Sequence, residues 1–80
     1  MPTLDFIGPY RVYFYSHEPN EPPHVHIDRD DATMKVWLEN LTVASSHGFR
    51  PREIRKIVGL LGSGRASYVE AWNDYFDSSN

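Results

Sequence analysis

At Pro51 the apolar period of the chain changes, and that change limits the folds open to it. Before Pro51, apolar and polar residues alternate, the mark of half-buried strands. After it, Ile54, Ile57, Val58 and Leu61 fall at i, i+3, i+4 and i+7, one stripe of an amphipathic helix. Pro51 suits the first helical position, where its missing N–H costs nothing. Gly62-Ser-Gly64 should interrupt the helix on propensity. Tyr68, Val69, Trp72 and Tyr75/Phe76 nevertheless continue the stripe almost in phase, so both one kinked helix and two helices fit the pattern.

Strands are expected at Thr3–Ile7, closed by Gly8-Pro9, and at Tyr10–Tyr15, His24–Arg29, Ala32–Leu38 and Leu41–Ala44, with Ser45–Gly48 as a loop. Alternation turns Leu4, Phe6, Val12, Phe14, Val25, Ile27, Met34, Val36, Leu41 and Val43 to one side. The helical stripe would cover that side. The reading is an α+β fold: a four- to five-stranded antiparallel sheet with a C-terminal helix, kinked or split at Gly62–Gly64, packed on one face. A two-residue turn at Asp30-Asp31 would pair Ile27 with Met34 and Val25 with Val36 inside. It would also set His26 opposite Lys35 and His24 opposite Trp37 outside.

The opposite face carries the functional interest. Arg11, Tyr13, Tyr15, His24, His26, Asp28, Lys35 and Trp37 would all project from it. A solvated sheet face usually carries Thr, Lys and Glu, so large rings among cations suggest a surface made to be covered. Glu21 and the other residues of Glu18-Pro-Asn-Glu-Pro-Pro-His24-Val-His26-Ile-Asp28 frame it; this stretch holds two of the four histidines. Tyr13, Tyr15, Glu21, His24, His26, Lys35 and Trp37 are therefore the expected binding surface.

Three kinds of chemistry fit these residues. His24 and His26, two strand positions apart, would present imidazoles roughly 6–7 Å from each other, close enough to share a metal ion such as zinc. Glu18, Glu21, Asp28 or His47 would complete the ligand set. The same histidines, with Arg11, Arg29 or Lys35 as the cation, could instead cleave RNA without a metal, one as base and one as acid. Rings on that face could stack unpaired bases. In the plainest reading they are pH-sensitive interface residues, or one of them hydrogen-bonds to the proline loop; no cofactor is then needed.

Composition narrows the classes further. Eighty residues, taken as one domain spanning 1–80, sit near the lower size limit for folding on a single core. The absence of cysteine excludes a disulfide or thiolate–zinc framework. A formal charge of −3 argues against binding nucleic acid through overall charge. The one local positive cluster, Arg50, Arg52, Arg55, Lys56 and Arg65 against Glu53, could contact phosphates, although it also suits the solvated face of a helix. No apolar run reaches transmembrane length and no signal-peptide pattern opens the chain, so a cytosolic protein is expected. Phosphate-binding glycine loops and nucleophile elbows are lacking.

Met1-Pro-Thr, Gly8-x-Tyr10-Arg-Val-Tyr-Phe-Tyr15, Glu21-Pro-Pro-His-Val-His26, Lys35-Val-Trp-Leu38, Gly48-Phe-x-Pro-Arg-Glu-Ile54 and Ala71-Trp-Asn-x-Tyr-Phe76 together resemble the bacterial domain-of-unknown-function 4160 family. The resemblance covers nearly the whole chain. It implies a small cytosolic protein whose gene lies beside another short reading frame, notably of the domain-of-unknown-function 2442 family, in a toxin–antitoxin-like pair. A protein partner is thus implied more strongly than a reaction, with a homodimer or RNA as further partners to consider. Relatives tend to carry polar helix formers where this chain has Gly62-Ser-Gly64, so a continuous helix does not transfer.

Overall fold

The computed structural model describes residues 3–16 and 20–77. Glu18, one of the proposed metal ligands, lies outside them. Five strands, β1 (Thr3–Ile7), β2 (Tyr10–Tyr13), β3 (His24–Arg29), β4 (Ala32–Trp37) and β5 (Thr42–His47), form one antiparallel meander in chain order. Two helices follow, α1 (Pro51–Gly62) and α2 (Arg65–Asp77). Their apolar residues cover one sheet face: Ile57, Leu61 and Tyr68 join Val12, Val25, Ile27, Met34 and Val36 in one buried cluster.

The β3–β4 hairpin has the register that alternation predicts, with Val25 opposite Val36, Ile27 opposite Met34, His26 opposite Lys35 and His24 opposite Trp37. Asp30 takes φ +54°, as the tight primed turns that match strand twist require at their first central residue. Leu38 N–H to Pro23 C=O, 3.0 Å, carries the pairing one step beyond the strands.

The edge strands depart from expectation. Ile7 pairs with Tyr10 across the Gly8-Pro9 turn, which places Phe6 opposite Arg11 and Asp5 opposite Val12; a bulge between Thr3 and Asp5 then sets Thr3 opposite Tyr13. Residues opposite one another share a face, so the register set by the turn directs Asp5 inward and Phe6 outward. Phe6, expected inside, is 69% exposed. At the other edge, β5 starts at Thr42 because Leu41 adopts a left-handed φ of +55°, and it runs through the expected loop to His47. Asn40 Oδ1 fixes this entry, accepting from Thr42 N–H at 3.2 Å and Thr42 Oγ1 at 2.6 Å. Val43 lies opposite Val36 on the inner face but is 38% exposed, since an edge strand has cover on one side only.

The glycines split the helix rather than kink it. Gly64 donates to Leu61 C=O and accepts from Tyr68 N–H, both at 3.0 Å, closing α1 and opening α2 within one turn. A Cβ on Gly64 would stand 2.6 Å from the Tyr68 ring, so a side chain there would have to displace that ring. Each glycine costs about 1 kcal/mol of helix propensity, whereas burying a large side chain returns about 1.5–3 kcal/mol. Burial of Leu61 before the break and of Tyr68 and Trp72 after it therefore decides the helical state. As expected, Trp72 anchors α2, packing on Phe14 at 5.2 Å and His24 at 4.8 Å between ring centroids.

Polar ties fix the helices to the sheet. Glu53 accepts from Arg29 Nε at 2.7 Å, Arg29 Nη2 at 2.9 Å and Tyr10 Oη at 2.7 Å. Tyr68 Oη donates to Asp5 Oδ2 at 3.0 Å, a bond allowed by the position of Asp5 opposite inward-facing Val12. Arg65, read as part of a solvated positive cluster, instead donates to the carbonyls of Leu38 (2.6 Å) and Glu39 (2.7 Å).

Candidate functional site

The sheet register assembles the face opposite the helices in rows. Phe6, Arg11, Asp28, Thr33 and His47 stand side by side across five strands, and Thr3, Tyr13, His26, Lys35 and Ser45 form the next row. His24, Trp37 and Thr42 make a third. Side chains at directly opposed positions stand about 4.5–5.5 Å apart, so each row is a line of contacts.

Tyr13 is the hub. Its ring stacks on His26 with centroids 5.4 Å apart and planes inclined by 23°, and Tyr15 meets both rings edge-on at 5.5 and 4.6 Å. The Arg11 guanidinium lies 4.5 Å from the Tyr13 centroid while donating to Thr3 Oγ1 at 3.0 and 2.8 Å. The Tyr13 hydroxyl donates to Asp28, 3.0 Å from each oxygen, and Thr33 Oγ1 donates to the same carboxylate at 2.6 Å. Burial first, then the bonds to Tyr15 and Asp28, raise the Tyr13 phenol well above its ordinary value. Lys35 stands 4.5 Å from the Trp37 centroid and ion-pairs with Glu21, which draws the end of the proline loop across this face.

Two residues expected on the open surface are not accessible there. His24 is 0% exposed: its ring is enclosed by Trp37, His26 and Trp72, and its Nδ1–H donates to Pro22 C=O at 2.9 Å. This histidine thus ties down the loop that precedes it. Tyr13 is 3% exposed beneath Arg11, Tyr15 and His26. The half-buried residues Arg11, Tyr15, Glu21, His26, Lys35 and Trp37 form the accessible remainder.

That arrangement bears on the chemistry. Among the described residues no group of three or more His, Asp or Glu side chains is placed to hold a metal ion. Glu21 is engaged by Lys35, and His47 lies in the Phe6 row, off the row of either candidate histidine. A general acid or base must reach the proton it moves, which enclosed His24 does not. The geometry suits recognition better than proton transfer.

Phe6 is the exposed ring that sequence alternation misses. Among the described residues it is the most exposed large hydrophobic side chain, and it borders the Arg11 end of the aromatic face. The signal lies in the Gly8-Pro9 turn: pairing Ile7 with Tyr10 across two residues sets Phe6 opposite outward-facing Arg11.

A family model described as a domain of unknown function, DUF4160, matches residues 10–73. The chain belongs to the DUF4160 family. No curated protein and no solved structure matches it. The DUF4160 match runs from β2 into α2 and takes in the Tyr13, His24 and His26 cluster together with Trp72, which encloses His24. Phe6 precedes the matched stretch, so the DUF4160 core supplies the stacked rings and β1 adds the exposed one. Among the described residues no helix is long and apolar enough to cross a membrane.

Proposed function

We propose that the protein is a small cytoplasmic component of a bacterial toxin–antitoxin-like two-gene module, and that it works by binding a second protein through the aromatic face of its sheet. The observation that carries this reading is Phe6, 69% exposed, at the border of a face that continues through Arg11, Tyr15, His26, Lys35 and Trp37. An exposed ring beside pre-stacked aromatics and Arg has the composition of an interface hot spot. Rings already packed on one another lose little side-chain freedom on binding, which favours affinity. The family resemblance points to the product of a neighbouring short gene, of domain-of-unknown-function 2442 type, as the partner.

The test is titration of that purified product into this protein by calorimetry. A complex of micromolar affinity or tighter is expected, weakened about tenfold or more by Phe6→Ala or Tyr15→Ala. Absence of a complex at micromolar concentration, or full affinity in both variants, would overturn the reading. The RNA-cleaving alternative draws less support, because its His24 is enclosed. In that alternative the growth arrest caused by expression would vanish in a folded His26→Ala variant.

A further inference from the structure

The eight Lys and Arg side chains divide into two groups. Arg11 is held by Thr3, Arg29 by Glu53, Lys35 by Glu21, and Arg65 by the carbonyls of Leu38 and Glu39. The other four, Arg50, Arg52, Arg55 and Lys56, make no hydrogen bond or ion pair among the described residues, and they sit together at the start of α1. Three of them, with Tyr10 and Glu53, line a cleft of about 260 Å³. In a chain with formal charge −3, that is a concentrated positive site.

Glu53 explains why these cations stay unpaired. A glutamate in a first helical turn ordinarily pairs with a lysine three residues on, here Lys56. Instead, Arg29 grips both Glu53 oxygens and Tyr10 occupies one of them again. The Arg29 bonds, then that of Tyr10, hold the Glu53 carboxyl below its ordinary value, so it remains an anion committed to the sheet. Its charge is offset from behind by Arg29, and the cleft keeps Arg50, Arg52 and Lys56 for something else.

We infer that this cleft binds a phosphate monoester dianion, gripped by Arg50, Arg52 and Lys56. Planar guanidinium groups donate to phosphate oxygens in pairs, and a lysine adds a point charge. The volume takes one phosphate with part of its ester. A nucleic-acid backbone would need further cations strung along a track, and apart from Arg55 the remaining ones are committed elsewhere. The inference is independent of the protein–protein face, which lies across the sheet from α1.

The test is amide and Arg Nε chemical-shift titration with inorganic phosphate against sodium chloride at matched ionic strength. Saturable shifts confined to residues 50–56 are expected. Arg52→Gln should weaken binding about tenfold, the loss of a charge-assisted hydrogen bond. Arg55→Gln removes the same charge outside the cleft lining and should leave affinity within about twofold. Linear, unsaturated shifts, or equal weakening by the two variants, would overturn the site. Far-ultraviolet circular dichroism confirms that each exposed variant remains folded. A second arm uses a short oligoribonucleotide with and without a 5′-phosphate. Binding no tighter than inorganic phosphate assigns a free or small-molecule ester, and tightening that depends on the 5′-phosphate assigns an RNA end. Tight binding of both forms alike would leave only general electrostatics and reject the inference.

Discussion

Glu53 shows how one residue sets several properties at once. It joins α1 to β2 and β3 through Tyr10 and Arg29, and it lines the positive cleft without neutralising it. Because its folded-state carboxyl is held below the ordinary value, the stability it contributes is present above the unfolded pKa, about 4.3, and is lost as pH falls through the lower folded value. Glu53→Gln should therefore unfold at lower urea than the parent at pH 7. The gap should close as the pH is lowered through and below about 4, and urea midpoints measured across that range check it. The sequence shows Glu53 amid cations but not its commitment, because Tyr10 and Arg29 come from distant strands. The same reason hides the burial of His24, whose alternation is right but whose cover, Trp72, arrives from the last helix.

Among the elements, the central hairpin was fully legible and the edges were not. Alternation and the Asp30-Asp31 turn fix β3 against β4, since a one-residue slip would expose Val25, Ile27, Met34 and Val36 together. The edge strands carry no such penalty, so the bulge in β1 and the extension of β5 to His47 follow tertiary contacts that alternation does not encode. Gly48, which ends β5, shows one of them. Its φ is +88°, and a Cβ there would stand 3.1 Å from the Ala32 Cα. Gly48→Ala meets strain and backbone crowding together and should cost about 1–3 kcal/mol, a drop of about 5–15 °C in Tm by calorimetry. Gly59, inside α1 with open space where a Cβ would stand, is the control: Gly59→Ala should raise stability by up to about 1 kcal/mol.

At the scale of the whole molecule, three phenols among the described residues each donate to a carboxylate. Tyr10 pairs with Glu53, Tyr13 with Asp28 and Tyr68 with Asp5, tying α1 to the sheet, β2 to β3, and α2 to β1. All three are raised above the ordinary tyrosine value: Tyr10 by its bond to Glu53 and then burial, Tyr13 by burial first, and Tyr68 by burial and Asp5 to about 12. A raised phenol contributes stability below its unfolded pKa, about 10, that drains away as pH rises through the folded value. Ultraviolet titration should show Tyr13 and Tyr68 staying protonated near pH 11, then ionising together with the loss of circular dichroism. Smooth ionisation of all five tyrosines with the fold intact would contradict it.

The Gly8-Pro9 turn joins two duties that a designer would keep apart. The register it sets sends Phe6 outward and also brings Asp5 to Tyr68. Deleting one codon between Phe6 and the turn would reverse that facing, hiding the exposed ring and cutting the tether of α2. The outer face and the anchorage of the last helix are therefore inherited as a unit, and drift in one strand cannot retune recognition without also touching stability.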